Sequence, residues 1–175
     1  MEGFPAEKAD FSSVTFEKCR FVACDFSNAT FISVIFSGCD FSNCTFSESY
    51  WRNSAIISCK ANGSVFEHTT LKNCTVTDTP CRYINFNRAM WEKCHFEDCD
   101  MRESALSELK IRQCTFSKVD FSNADFFKTP LKDADFSNCQ ISGILLSDSR
   151  TELRGLKISV EQAPYIASLL GVKIV

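Results

Sequence analysis

The sequence has little of what catalytic sites usually require. Its 175 residues include only two histidines, His68 and His95, and neither has a cysteine or a paired carboxylate at ligand spacing. The six glycines are scattered and form no phosphate-binding loop of the G-x-G-x-x-G or G-x-x-x-x-G-K type. These absences argue against histidine catalysis, a metal site and a bound cofactor, so we expect a protein that is not an enzyme.

Long apolar runs and an excess of basic residues are also missing. No stretch approaches the roughly eighteen consecutive apolar residues of a transmembrane helix, and residues 1–5 contain no basic segment followed by an apolar run. The formal net charge is −3, whereas non-specific nucleic-acid binding needs a basic surface that releases phosphate counterions. We therefore expect a soluble, cytoplasmic protein that binds neither nucleic acid nor membrane directly.

One five-residue pattern fills the chain from residue 9 to residue 148. Counting from Phe11, every fifth residue up to Leu146 is large and apolar, apart from Ala61 and Cys81. If this residue is position i, position i−2 is small or apolar, and positions i−1, i+1 and i+2 carry most of the polar and charged side chains. A fixed period that runs through a chain indicates a repeat architecture.

The period of five fits neither a helix nor a flat strand. Positions five apart would scatter by about 140° per step around a helix and would alternate between the faces of a strand. A chain that turns at every repeat instead closes a four-sided coil in twenty residues, with positions i−2 and i inside. The sequence therefore predicts a solenoid of about seven coils, with a length of about 34 Å at the spacing of neighbouring strands.

Residues twenty apart should then stack and define four sides. We number the sides by their inward residues in the first two coils: the first side has Phe11 and Phe31, the second Phe16 and Phe36, the third Phe21 and Phe41, and the fourth Phe26 and Phe46. The outward charges sum to +3 on the first side, −3 on the second, zero on the third and −4 on the fourth. Two acidic sides therefore flank a basic one.

Cysteine and proline positions follow the same register. Ten of the eleven cysteines fall at position i−2 and Cys81 falls at position i, so we expect buried, reduced thiols rather than disulfides or zinc ligands. Pro80 and Pro130 fall at position i−1. Because proline has no N–H, we expect sheet-like pairing to be least regular there.

The repeat region divides the chain into three parts. Residues 1–8 are an N-terminal lead-in for which we expect irregular structure, residues 9–148 form the solenoid, and residues 149–175 form a C-terminal module. An open stack of coils needs such a cap over its core. Within the module, residues 153–158 indicate a short strand-like segment, Ser159 and Gln162 a capping box that opens a helix, and Gly171 its end.

The C-terminal helix carries two apolar stripes, whereas a cap needs one. The residues spaced i, i+3, i+4 and i+7 should lie on the last coil, and they are Ala163, Ile166, Ala167 and Leu170. Tyr165 and Leu169 form the second stripe. Either both stripes pack within the chain, or the second stripe and the terminal residues form a homodimer interface.

The repeat resembles that of the pentapeptide-repeat family, whose pattern is A-(D/N)-(L/F)-x-x. Ala124-Asp125-Phe126 and Ala134-Asp135-Phe136 match it nearly letter for letter, and the register is unbroken over about 80% of the chain. The resemblance implies an all-β fold, a right-handed quadrilateral β-helix. The C-terminal module is similar to that of Qnr-type and mycobacterial quinolone-resistance members, which pair tail to tail.

What this resemblance implies is a non-enzymatic DNA mimic that binds a type II topoisomerase, DNA gyrase, and reduces quinolone susceptibility. The implied partner-binding residues on the acidic sides are Asp78, Glu97, Asp98, Glu108, Asp125, Asp135 and Asp148. The implied residues of the homodimer interface are Leu156, Ile158, Tyr165, Leu169, Val172 and Ile174.

The alternative is a pentapeptide-repeat scaffold or adaptor that binds another protein. Nine outward positions carry large apolar side chains, which could form an ordinary protein-binding surface. They are Val22, Ile32, Ile35, Tyr50, Ile57, Val65, Met90, Phe127 and Leu145.

Overall fold

The five-residue pattern forms a parallel β-solenoid in a computed structural model that describes residues 6–21 and 23–173. Its strands are three residues long. They are β1 (Asp10–Ser12), β2 (Thr15–Glu17), β3 (Thr30–Ile32), β4 (Ile35–Ser37), β5 (Tyr50–Arg52), β6 (Ala55–Ile57), β7 (Thr70–Lys72), β8 (Thr75–Thr77), β9 (Met90–Glu92), β10 (His95–Glu97), β11 (Lys110–Arg112) and β12 (Thr115–Ser117).

The strands stack with an offset of twenty residues. Phe11 of β1 lies beside Phe31 of β3, and Phe31 lies beside Trp51 of β5. The odd-numbered strands form a six-stranded sheet on the first side, and the even-numbered strands form another on the second side. The third and fourth sides are held by isolated bridges such as Arg20 with Asp40. This arrangement confirms the predicted four-sided coil of twenty residues.

Corners of the coil are made by residues at position i+2 with a left-handed backbone. Their φ angles are 49° at Lys18, 59° at Glu48 and 47° at Asp78, and the same conformation recurs through the repeat. On the third and fourth sides a hydrogen bond closes the turn, as from the Cys24 N–H to the Phe21 carbonyl at 3.0 Å. Positive φ at the second central residue is what a type II turn requires.

The core is a column of inward side chains, and the predicted division into inside and outside positions is confirmed. Aromatic rings stack along the axis, with centroids 5.0 Å apart between Phe26 and Phe46 and 4.6 Å apart between Phe46 and Phe66. All eleven cysteines are free, and nine are buried; Cys19 and Cys114 are partly exposed. The packed rings and thiols supply the apolar burial that stabilises the coil stack.

Both proline positions interrupt the ladders, as predicted. Within the described residues, bridges join Asp40 to Lys60 and Pro80 to Asp100, but none joins Lys60 to Pro80. On the first side the strand ladder ends at β11, one coil before Pro130. Regular strand pairing therefore extends over six coils rather than about seven.

The described part of the N-terminal lead-in, residues 6–8, differs from the expectation of irregular structure, and residues 1–5 lie outside the described residues. The Ala6 N–H donates to the Asp25 carbonyl at 2.6 Å, and the Lys8 N–H donates to the Ser27 carbonyl at 2.9 Å. These bonds repeat the offset of nineteen residues that joins Phe26 to Thr45 in the next coil. The hydrogen-bonding pattern of the solenoid thus extends at least to Ala6. These bonds satisfy the N–H groups of Ala6 and Lys8 and the carbonyl groups of Asp25 and Ser27.

A short 3-10 helix, Thr151–Leu153, covers the last coil and buries a carboxylate. Glu152 is 2% exposed, and its carboxylate accepts hydrogen bonds from the Lys128 N–H at 2.8 Å and from the N–H and hydroxyl of Ser147 at 3.1 and 3.0 Å. Burial pushes the pKa of the Glu152 carboxyl up, but these hydrogen bonds outweigh it and hold that pKa below its ordinary value. Glu152 therefore closes the open end of the solenoid as a carboxylate.

The strand-like segment predicted over residues 153–158 is wrong apart from one bridge, between Asp135 and Lys157. The helix α1 (Ala163–Leu169) also begins later than the predicted capping box at Ser159. Pro164 lies in its first turn, where a missing N–H is tolerated. One half of the predicted capping box does form, because the Gln162 side chain accepts from the Ser159 N–H at 2.8 Å. The same side chain also donates to the Phe136 and Cys139 carbonyls at 2.9 and 2.7 Å.

The end of α1 follows the prediction. Gly171 has a φ of 78°, its N–H donates to the Ser168 carbonyl, and the Val172 N–H donates to the Ala167 carbonyl. This pair of bonds is a Schellman motif, which needs a left-handed residue such as glycine. Among the described residues, no helix has the length and apolar character needed to cross a membrane.

Candidate partner-binding surface

Outward side chains form columns along the solenoid because residues twenty apart are stacked. Ser58 donates to the Asp78 carboxylate at 2.9 Å, and the Tyr83 hydroxyl donates to the Glu103 carboxylate at 3.1 Å. A column therefore presents one side chain per coil, at the spacing of about 4.8 Å between neighbouring strands. A charged side chain therefore interacts electrostatically with the side chains of the same column in the two neighbouring coils.

The second side carries four of the predicted partner-binding residues. Asp78 and Asp98 occupy stacked corners, and Glu97 is next to Asp98 in the chain. Asp98 lies 3.5 Å from the Lys118 ammonium, and Glu97 lies 3.6 Å from the His95 ring. Asp135 accepts from the N–H and hydroxyl of Ser137, and these bonds hold the pKa of Asp135 below its ordinary value.

The fourth side carries the other three, Glu108, Asp125 and Asp148. Glu108 lies 3.7 Å from the Arg88 guanidinium. The Asp125 carboxylate accepts from the Phe127 N–H at 2.8 Å and from the Ser107 hydroxyl at 3.0 Å. In the described part of the chain, Asp78, Asp125, Asp135 and Asp148 have no basic side chain within ion-pairing distance. The structure thus divides the seven predicted carboxylates into paired and unpaired ones.

On the third side, whose outward charges sum to zero, arginine and aspartate side chains form an ion-pair network. Arg102 contacts Asp100 at 2.8 Å and Asp120 at 3.5 Å, and Arg82 contacts Asp100 at 2.6 Å. Carboxylates in such a network have their cations already bound, so they attract an external basic surface less. Asp100 and Asp120 are consequently suitable reference positions for the unpaired carboxylates of the acidic sides.

The residues predicted for a homodimer interface mostly face the chain's own core. Leu156, Ile158, Tyr165 and Leu169 are partly buried and packed against the core cluster. The predicted inward stripe is also wrong in part, because Leu170 is 56% exposed whereas Tyr165 and Leu169 lie inward. Val172 is 55% exposed. Ile174 lies outside the described residues.

Four of the nine outward apolar residues are clearly exposed. Ile35 and Ile57, on the second side, are 41% and 38% exposed, and Phe127 and Leu145, on the fourth side, are 40% and 59% exposed. The remaining residues Ile32, Tyr50, Val65 and Met90 are partly buried, and Val22 lies outside the described residues. Exposed apolar side chains scattered in this way are normal on a protein surface, so they do not by themselves define a binding site.

Sequence models of one family match most of the chain. The model described as pentapeptide repeat region matches residues 29–94 and 89–159, and the model described as pentapeptide repeats (8 copies) matches residues 9–47. The chain is a pentapeptide-repeat protein.

Solved structures similar to this pentapeptide-repeat protein include two trypsin-treated variants of QnrB1, a plasmid-mediated fluoroquinolone resistance protein. The first is 20% identical, with 100% of this chain and 97% of that chain covered and a TM-score of 0.55. The second is 18% identical, with 99% and 95% covered and a TM-score of 0.50. At sequence identities of 18–20%, this structural similarity shows only that the two proteins share a fold. No curated protein sequence matches significantly.

Both histidines of this pentapeptide-repeat protein lie beside polar or acidic side chains, and burial makes the thiols of Cys44 and Cys59 unreactive. His95 Nδ1 lies 2.7 Å from the Thr115 hydroxyl, and His68 lies 3.9 Å from Glu67. Among the described residues, no three histidine, cysteine or acidic side chains are grouped as metal ligands. Burial raises the pKa of the Cys44 thiol to about 12 and that of the Cys59 thiol to about 11, which makes both poor nucleophiles.

Sequence reasoning missed two features of the surface. Glu152 was not singled out, although an isolated acid after the last repeat, beside Ser147, could have indicated a polar plug. The left-handed corners were missed as well, because lysine, glutamate and aspartate hold many of them where glycine or asparagine is expected. The Gly38 and Asn43 corners were the available signal.

Proposed function

We propose that this pentapeptide-repeat protein is a cytoplasmic, non-enzymatic DNA mimic that binds a type II topoisomerase, DNA gyrase, and lowers quinolone susceptibility. The observation that carries the proposal is the pair of acidic sides, whose charges recur along a regular rod. Similarity of fold to QnrB1, a plasmid-mediated fluoroquinolone resistance protein, supports it.

The unpaired carboxylates are the residues that would contact the enzyme's basic DNA-binding surface. Duplex DNA carries one negative charge per roughly 1.7 Å of axis, whereas one column of this solenoid offers at most one per about 4.8 Å. A single column is therefore too sparse, and two acidic sides are needed. Asp78 and Asp135 lie on one of them and form no ion pair in the described part of the chain, and we expect them to act as phosphate equivalents even though the charge of Lys157 in the neighbouring turn acts on Asp135. Binding through such exposed charges should weaken steeply with added salt.

We also propose that the protein is a homodimer joined at its C-terminal modules. Large apolar residues exposed in the described part of that module are Val160, before the helix, and Leu170 and Val172, at the end of the helix; the latter two lie close together in the chain and are the proposed contact residues. Joined end to end, two rods would extend over about 70 Å at the spacing of stacked strands. That length would present acidic residues on both sides of the dimer axis.

Inhibition of gyrase supercoiling by the purified protein tests the proposal. Asp78→Asn with Asp135→Asn removes two unpaired charges and keeps an oxygen acceptor for Ser58 and Ser137. We expect it to weaken inhibition by about tenfold, the loss typical of removing charge complementarity. Asp100→Asn with Asp120→Asn is the matched control on the balanced side, and we expect a change below about twofold, because those charges are already paired.

Equal effects of the two double variants would contradict DNA mimicry, as would a wild type that leaves supercoiling unchanged at micromolar concentration. Urea unfolding of each variant would establish that it is folded. The second candidate function is that of a scaffold or adaptor, for which Ile35 and Ile57, both exposed on the second side, would be the contact residues to test. Under that alternative, Ile35→Ser with Ile57→Ser would abolish partner binding and the carboxylate variants would not.

A further inference from the structure

The sixth and seventh coils separate on the first and second sides. One coil earlier the Lys93 N–H donates to the Arg112 carbonyl at 2.9 Å, but in the described chain the Gln113 N–H has no bond to the Lys132 carbonyl. On the second side the Lys118 N–H donates to the Asn138 carbonyl, one residue beyond the usual offset. The Phe121 N–H still donates to the Gln140 carbonyl at 2.8 Å on the third side. The two coils therefore form a wedge.

Pro130 explains why the wedge opens on the first side. The residue at this position of the preceding coil, Lys110, donates its N–H to the Ala89 carbonyl at 3.0 Å. Proline has no N–H to give, so the Leu109 carbonyl loses its ladder partner. The seventh coil keeps a bond to the segment that follows it, since the Leu131 N–H donates to the Glu152 carbonyl at 3.0 Å in the C-terminal module.

The wedge contains a cleft of about 590 Å³, a size typical of ligand sites. Its walls include Ile111, Cys114 and Ala134, and the first two are partly exposed although their equivalents Trp91 and Cys94 are buried. β11 forms one edge of the cleft, and among the described residues its Ile111 N–H has no backbone acceptor. An open strand edge beside an apolar gap is a template for pairing with another extended chain.

The rim of the cleft is basic. Arg112 and Lys132 line it, Lys110 is adjacent on β11, and none of the three has a carboxylate within ion-pairing distance in the part of the chain that the structure describes. The lining also contains two carboxylates: Glu92, which is paired with Lys72 at 3.3 Å, and Asp133, which has no basic side chain within ion-pairing distance among the described residues. Three unpaired cations therefore face one unpaired carboxylate, and the site still attracts negative charge.

We propose that the cleft binds an extended peptide segment of a partner protein, by strand addition to β11, with an acidic, apolar, acidic sequence. Alternate side chains of a strand point to opposite faces, so the residue beside Ile111 enters the cleft. Its two neighbours point outward beside Lys110 and Arg112, where carboxylates complement the cations. Backbone pairing supplies affinity, and this alternation supplies specificity.

A labelled peptide, acetyl-Gly-Asp-Ile-Glu-Gly-amide, tests the proposal by fluorescence anisotropy and amide hydrogen exchange. We expect saturable binding, fast exchange at Ile111 and Gln113 in the free protein, and protection of both on binding. A lysine-flanked peptide, Gly-Lys-Ile-Lys-Gly, should bind at least about tenfold more weakly, because its charges oppose the rim. The double variant R112E with K132E should bind the lysine-flanked peptide more tightly than the acidic one. A variant that failed to fold would bind neither peptide.

Pro130→Thr supplies the missing N–H and should close the wedge, so it should weaken peptide binding and slow alkylation of Cys114. Pro80→Thr, at the other interrupted ladder, is the matched control and should leave both unchanged. Equal affinity for the two peptides, or binding without protection of Ile111 and Gln113, would overturn the proposal. Concentration-dependent protection without peptide would overturn it too, since a second copy of the chain would then fill the cleft.

Discussion

The Trp51 indole N–H donates a hydrogen bond to the Ser49 hydroxyl, 2.8 Å away and two residues earlier in the chain. Ser49 in turn donates to the Phe46 carbonyl at 2.6 Å, so the buried indole and hydroxyl both have partners. Trp91 is stacked two coils further along the same column, but its inward neighbour is Ala89. In the described structure its indole nitrogen is buried without a hydrogen-bond partner.

Replacing Ala89 by serine should therefore stabilise the protein. The new hydroxyl can accept from the Trp91 indole and donate to the Phe86 carbonyl, as Ser49 does with Trp51 and Phe46 two coils earlier. A satisfied buried donor is worth about 1 kcal/mol, which should appear as a higher urea midpoint with an unchanged slope. Ser49→Ala is the reciprocal variant and should lose about 1–3 kcal/mol. An Ala89→Ser midpoint at or below that of the wild type would show that the site has no room.

Glu152→Gln should destabilise the closed end of the solenoid. The amide keeps one acceptor oxygen but loses the charge that strengthens the bonds from Lys128 and Ser147. Hydrogen bonds to a charged group contribute about 1.5–3 kcal/mol, and we expect a loss of that order in urea unfolding at pH 7. Asp148→Asn, an exposed carboxylate nearby, is the control and should change the midpoint little.

The wild type and Glu152→Gln should also differ in how their stability depends on pH. Because the folded-state pKa of Glu152 lies below its ordinary value of 4.5, its stabilisation is fully present above about pH 4.5. It is lost as the pH falls through the lower, folded-state pKa. The stability difference between the wild type and Glu152→Gln should shrink over that acid range. A difference that stays constant down to acid unfolding would mean that the carboxylate is not the origin of the effect.

Dimerisation is tested at Leu170 and Val172 rather than at Leu169. Leu169 packs against the chain's own core, so a charge there would disrupt the cap itself. Leu170→Asp with Val172→Asp places charges on the exposed end of the helix, and an unpaired charge buried in an interface is strongly destabilising. Light scattering should then report a monomer for the variant and a dimer for the wild type.

Val160→Asp is the control for the dimer, since Val160 is 84% exposed and lies before α1. The Val160→Asp variant should remain a dimer. A wild type that is monomeric at micromolar concentration would contradict the dimer proposal before any variant is made. Loss of the dimer in Val160→Asp as well would move the interface to a different part of the module.

The sequence by itself determined the four-sided coil, its register and its core. A large residue at every fifth position can be buried only if the chain turns at each repeat, so the period specifies the inside and outside of the solenoid. The prolines at position i−1 likewise predicted where ladders are interrupted, because the missing N–H is a property of the residue itself. Gly171 marked the helix end for the same kind of local reason.

Tertiary structure decided everything that depends on what a residue meets across the fold. Which side chains of α1 face the last coil depends on how the helix is placed against it: Tyr165 and Leu169 pack on the core, whereas Leu170 of the predicted inward stripe is exposed. Which acidic residues remain unpaired depends on long side chains in neighbouring coils, such as Lys118 beside Asp98. The opening beside β11 depends on backbone bonds between the sixth and seventh coils, which form on the third side but, among the described residues, not between Gln113 and Lys132 on the first. These are competitions between partners distant in the chain, and a local pattern does not determine which partner is chosen.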